Sequence, residues 1–335
     1  MIRISLLIAS LAMVANAEAH HATTVAYDRN NIATIEGELT SVFWQNPHVV
    51  LTIERVSESG VRETWTAESG SPNSLQRIGI GSDIVAVGDR VSLTGALSRQ
   101  GLPAMAAFTM KLADGRDVPL WPQRAVEIGR EVRPAPFSSS AVAAGERDAR
   151  GVFRVWSRTG GALEGNLPLT AAALSARQAW DPLVDDPALR CEPPGMPTMM
   201  NNPYPIQFVD RGDTILLRLE EWDGERIIHM NAGASPENQA ASLFGYSVGR
   251  WQDRTLIVTT TRISDAYFDD LGTPQGPDAE IVERFTLSAD ERRLDYVARI
   301  TDPATFTEPA SLTGSWEWIP GEQIKVFNCS LREGG

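Results

Sequence analysis

Lysine is nearly absent. Lys111 and Lys325 are the only two in 335 residues, so almost all positive charge is arginine. Against 43 acidic side chains stand 30 basic ones, which gives a formal net charge of -13. No basic run occurs, and this argues against nucleic acid and anionic membrane surfaces as partners, because both bind clustered positive charge that displaces counterions. Long apolar runs are missing too. After the first twenty residues nothing approaches the roughly eighteen apolar residues that a membrane span needs. HExxH, CxxC, P-loop and dinucleotide signatures are all absent, which sets aside nucleotide-dependent chemistry and a structural zinc site. Only two cysteines and four histidines occur, so each one matters.

What is present first is a segment that reads as an export signal over residues 1–19. Arg3 supplies the positive end, "ISLLIASLAMVA" the apolar stretch, and Ala15-Asn16-Ala17 and Ala17-Glu18-Ala19 two overlapping small-x-small cleavage sites. No cysteine follows the apolar run, so a soluble periplasmic or secreted protein is expected. In an oxidising compartment Cys191 and Cys329 are expected to pair, closing a long loop; the alternative is two buried free thiols. Composition fits a folded chain, with 42% hydrophobic and 22% charged residues.

An all-β protein of two domains is expected. From residue 32 the segments "IATIEGELTSVFW", "HVVLTIERV" and "ETWTAES" alternate as strands do. "SPNSLQRIGI" follows, where Ser71 caps a short helix with Pro72 in its first turn. Then come "DRVSLTGALS", "AMAAFTMKL" and an edge segment, "VPLW". Three strands, a helix and two strands is the order of an OB-like small barrel, placed at 20–121. Residues 122–150 lose the alternation and read as a linker. A second antiparallel barrel or sandwich is expected over 151–335, with "QIKVFNC" as its last strand.

Candidate chemistry lies in three places. "GYSVG" matches the Gly-x-Ser-x-Gly elbow around Ser247, but the strand-like "TLIVTTT" that follows cannot supply the helix this motif needs, and no histidine comes later. The second place is "TILLRLEEWDGERIIHMN". An Asp223-Gly224 hairpin turn would pair Arg218 with His229 and Leu217 with Met230, which puts Leu217, Leu219, Ile228 and Met230 on a core face. The opposite face carries Arg218, Glu220, Trp222, Ile227 and His229 and is either solvated or the lumen of a ligand-holding barrel. In a lumen, His229, Arg218 and Glu220 are acid-base candidates for an enzyme acting on a small hydrophobic molecule, with Trp222 as a binding wall. Glu283 and Arg299 would join only if their strands turn the same way.

The third place is the mature amino terminus. Cleavage after Ala17 leaves His20 third in the chain, and cleavage after Ala19 leaves it first; either provides nitrogen ligands for copper, with His21 beside it. His48 follows the Asn46-Pro47 turn in "FWQNPHVV", near the mouth of the first barrel, with Trp44 and Asn46 as further ligand-binding candidates. The plain alternatives are a frayed tail and a turn histidine.

On Ala19-His20-His21, Asp28, Gly37-Glu38-Leu39 and Trp44-Gln45-Asn46-Pro47-His48 the chain resembles an exported bacterial family of unknown function. "SPNSLQRIGI" and "VGDRVSLTGALSRQG" resemble later segments of that family, and Ala22 stands where serine is usual. The second half resembles a domain often fused to it, also without an assigned activity, through "DDPALRCEPPGMP", "NPYPIQFV", "RIIHMN", "GYSVGRW", "TLIVTTT" and "IVERF". Those relatives carry Glu-Gly-Asp after "GYSVGRW", where this chain has Gln252-Asp253-Arg254. The resemblance names a family and no reaction; the residues themselves lead to the expectation of an exported binding or accessory protein with a small-molecule or metal ligand.

Overall fold

Tyr27–Phe43 forms β1, a strand long enough to serve two neighbours. Its first part pairs with β4 (Arg90–Ser98) and its end with β2 (Val50–Val56). The structure is a computed structural model that describes residues 26–331 apart from 58, 159–162, 182, 183, 232 and 234. β3 (Arg62–Glu68) returns beside β2, and β5 (Ala104–Lys111) runs parallel to β3 and antiparallel to β4. That closes a five-stranded barrel, and β6 (Asp117–Pro119) extends the sheet beyond β5. The OB-like order expected from the alternation is the observed one, with helix α1 (Pro72–Gln76) between β3 and β4, capped by Ser71. Closure depends on Gly95, where the β4–β5 register shifts: a Cβ there would collide with the Ala106 carbonyl. The interior is aliphatic, built on Ile35, Leu39, Leu51, Ile53, Leu93 and Met110.

Residues 122–150 are not a bare arm. They carry α2 (Pro122–Glu127) and α3 (Ser139–Asp148). Beyond them β7 (Val155–Arg158) and β8 (Glu164–Asn166) precede α4 (Ala171–Ala179). Eight further strands follow: β9 (Ile206–Asp210), β10 (Thr214–Leu219), β11 (Gly224–His229), β12 (Tyr246–Gln252), β13 (Thr255–Thr261), β14 (Glu280–Leu287), β15 (Arg293–Thr301) and β16 (Ala310–Glu317). Nine of the ten strands from β7 to β16 close into a barrel in the order β15-β14-β13-β12-β11-β10-β9-β7-β16, and β8 is added outside on β16. One junction, β11 to β12, is parallel, so the meander is not wholly antiparallel.

This barrel is filled rather than hollow. Trp156, Phe208, Phe285, Tyr296 and Trp316 occupy it, all fully buried. Among them lies Arg226, whose Nη1 donates to Glu283 Oε1 at 3.1 Å and whose Nη2 bonds Oε2 of the same carboxylate. Its Nε donates to Ser247 Oγ at 2.9 Å, and Tyr296 donates its hydroxyl to Glu283 at 3.1 Å. Burial, reinforced by the Glu283 charge, holds the Tyr296 phenol well above its ordinary pKa, so it remains a donor.

The β10–β11 hairpin departs from the expected register. Arg218 faces Glu225 and Thr214 faces His229, because Glu220–Asp223 form a wider loop in which Trp222 and Asp223 adopt positive φ. The slip is by an even number of residues and therefore leaves each side chain on its expected face. "QIKVFNC" is a further departure, since it forms a strap instead of a strand. It threads between the two barrels, where Val326 and Phe327 offer their carbonyls to Asn73 and Asn46. Cys329 at its end is bonded to Cys191, 138 residues away.

Candidate functional site

The residues of the Asn-Pro-His turn divide between two tasks. Asn46, joined to Pro47 by a cis peptide bond, is buried at the seam between the barrels. Its Nδ2 reaches the Phe327 carbonyl and, at 3.2 Å, Asn73 Oδ1, while its carbonyl accepts from Ser330 N at 3.1 Å. From α1, Asn73 donates to Glu220 Oε1 at 3.1 Å. Arg77, just past α1, grips the same carboxylate with two bonds of 2.7 and 2.6 Å and also reaches Glu322 at 3.1 Å. The Lys325 backbone N–H adds a bond to Glu220 Oε2 at 2.9 Å. Glu220 is therefore a fully buried fastening for the seam, and its oxygens are occupied by Arg77, Asn73 and the strap.

His48 serves the second task. It lies at the rim of the small barrel, where its Nδ1 stands 2.8 Å from the Ser69 carbonyl. A carbonyl only accepts, so Nδ1 carries the proton and Nε2 is the nitrogen with a lone pair in the neutral ring. Nε2 is 3.6 Å from Glu68 Oε1, and the Trp121 ring is 5.4 Å away, centroid to centroid. Glu68 ends β3 and is 1% exposed. Its other oxygen accepts from the hydroxyl of Tyr27, the first residue of β1, at 3.3 Å. Burial, the Glu68 charge and this bond push the Tyr27 phenol far above its ordinary pKa. Tyr27 thus stays protonated and steadies the carboxylate; it does not act as a phenolate ligand.

These contacts rank the expected candidates. His48 sits beside a buried carboxylate, which sequence reading did not anticipate because Glu68 and Tyr27 are remote in the chain. His20 and His21 lie outside the described residues. Among the described residues no group of three or more His, Cys, Asp or Glu side chains is placed to hold a metal ion. Trp44 packs, half-buried, against the small barrel's core.

His229, Arg218 and Glu220 are not brought together. Arg218 is exposed and donates to Gln207 at 3.2 Å, His229 stacks on Tyr246 with centroids 4.5 Å apart, and Glu220 lies in the seam. The face carrying Arg218 and His229 is the barrel's outside. Glu283 turns inward to Arg226 and Arg299 outward, so neither joins them. Ser247 is fully buried on β12 and bonded to Arg226 and Thr260, with no helix behind it. Trp222, by contrast, lines a cavity at the mouth of the large barrel.

Residues 7–105 match the model of a family of unknown function (DUF6152). The match takes in the signal-like segment, His20, His21, the His48 rim, α1 and Arg77, and ends as β5 begins. It includes none of the large barrel. No curated protein matches the chain.

Proposed function

We propose that the protein is an exported binding or accessory protein, periplasmic or secreted, that holds copper between its mature amino terminus and His48. The observation that carries this reading is the position of Tyr27. Its hydroxyl rests on the carboxylate beside His48, and His21 is only six residues upstream. Six residues of chain span at most about 20 Å, so His20 and His21 are tethered within reach of the rim. The Ser69 carbonyl orients His48 as carbonyls commonly orient metal-ligating imidazoles, with Nε2 turned toward Glu68. Imidazole and amine nitrogens suit Cu(II), and Glu68 supplies a charge that partly neutralises it. The Cys191–Cys329 bond supports export, since such bonds persist mainly in oxidising compartments.

The test is Cu(II) titration of the mature chain, followed by native mass spectrometry and electron paramagnetic resonance. One retained copper with nitrogen hyperfine structure is expected. Its affinity should fall about tenfold or more in His48→Ala, and retention should vanish when His20 and His21 are both alanine. Copper held equally well without those two histidines, or no copper held at all, overturns the reading.

A further inference from the structure

At the mouth of the large barrel, where Trp222 packs against Phe327 of the strap, three loops enclose a cavity. Trp180, Trp222 and Tyr267 form aromatic walls, with Trp180 and Tyr267 edge to face at 6.3 Å between centroids. The other prominent feature is carboxylates. Asp186, Glu192, Glu221, Asp265, Asp269 and Asp270 line the cavity, and none of its lining side chains is basic. Several already have structural partners. Asp269 accepts from the Leu271 and Thr273 N–H groups at 3.0 and 3.1 Å, and Asp265 accepts from Gly195 N and, at 3.1 Å, from Tyr267 N.

Glu221 differs. It is 5% exposed, lines the cavity, and its Oε2 is buried without a hydrogen-bond partner. A buried carboxyl oxygen without a donor is costly unless a ligand or a proton satisfies it. We propose that this cavity binds a small organic cation, an alkylammonium or quaternary amine, with Glu221 as its counter-charge and Trp222, Trp180 and Tyr267 as its walls. The chemistry of the lining selects this class. An anion would meet a lining of like charge, in which the nearby cation, Arg190, is paired with Glu192. A hard metal ion would find no group of three ligating side chains among the described residues. A soft organic cation gains both from the carboxylates and from ring faces.

Binding must release protons. Burial, followed by the charges of Asp270 and Glu220, raises the Glu221 carboxyl well above the ordinary range. Burial, followed by Asp186, Asp269 and Asp265, pushes Asp270 up to about 7. Near neutral pH the empty cavity therefore holds protons that an arriving cation displaces, and affinity rises with pH. Neutral sugars, which also favour aromatic walls and carboxyls, would bind without that release.

Calorimetric titration of the disulfide-intact full chain with choline and with butylammonium tests this, using 3,3-dimethylbutanol as the uncharged isostere of choline. At least one of the two cations should bind saturably. The isostere should bind at least about tenfold more weakly, a difference of about 1.4 kcal/mol. The heat should vary with buffer ionisation enthalpy, as proton release requires, and affinity should increase between pH 6 and 8. Glu221→Gln should reduce the proton release and weaken binding about tenfold, and Asp270→Asn should flatten the pH dependence; both are to be checked for folding by their unfolding transitions. Equal affinity for the uncharged isostere, binding of glucose without proton release, or no binding of either cation overturns the proposal.

Discussion

Two closed barrels sit side by side in this chain, and their interiors are built differently. The five-stranded barrel is filled by aliphatic side chains such as Leu39, Leu51 and Leu93, and among the described residues its core holds no ion pair. The nine-stranded barrel holds large aromatics and the Arg226–Glu283 pair. Barrel diameter grows with strand number, so the wider interior needs longer side chains to reach across it. An arginine spans that distance; the Glu283 carboxylate and the Ser247 and Thr260 hydroxyls accept from it, and the Tyr296 phenol donates to the same carboxylate. Charge in the large barrel's core therefore serves as filling. In the small barrel, the charged Glu68 is kept at the rim beside His48.

The strongest way to break this comparison is Glu283→Gln. It keeps the shape but leaves Arg226 buried without its counter-charge, at an expected cost of about 3 to 5 kcal/mol in urea unfolding. Replacing both partners, Arg226→Met with Glu283→Leu, should recover most of that loss, because packing is the pair's purpose. A single mutant costing under about 1 kcal/mol would show that buried Arg226 does not need its counter-charge. Next in size is Cys329→Ser, expected to cost about 2 to 4 kcal/mol through the freed loop. Because Cys329 anchors the strap that fastens the barrels, the loss should come with a split of the unfolding transition into two. A single unchanged transition would mean that Arg77, Asn73 and Glu220 hold the seam unaided. Smallest is Ser247→Ala, where loss of the bond to Arg226 should cost about 1 kcal/mol. This variant also separates a core hydroxyl from a reactive one: loss of labelling by a fluorophosphonate probe in the mutant, with labelling in the parent chain, would argue for a nucleophile.

Some features could be read without coordinates because they are local. Period-two alternation marked the strands of the small barrel and most of those in the large one, though not β8 or β12, and the Ser71-Pro72 start marked α1. Compartment chemistry favoured the Cys191–Cys329 bond, and the geometry bears it out. Even the misread β10–β11 register kept its faces, since parity depends only on whether the slip is odd or even. The width of the loop was missed because Trp222 and Asp223 both take left-handed conformations that non-glycine residues seldom adopt. "QIKVFNC" looked like a strand because its alternation is real. Its backbone partners are Asn46, Asn73, Glu220 and Asp223, however, and no alternation pattern reveals those.

The sequence by itself determined an all-β chain with an OB-like first barrel, a second barrel or sandwich, one cysteine pair, and four histidines of which His48 follows an Asn-Pro turn. Only the tertiary structure decided that the large barrel is filled, that Glu220 fastens the seam while its neighbour Glu221 faces a cavity, and that Glu68 and Tyr27 gather at His48. The reason is one of range. Strand periodicity and turn chemistry depend on neighbours in sequence, whereas a site's burial and partners depend on how the barrels close and dock, which unites residues as far apart as Asn73 and Glu220.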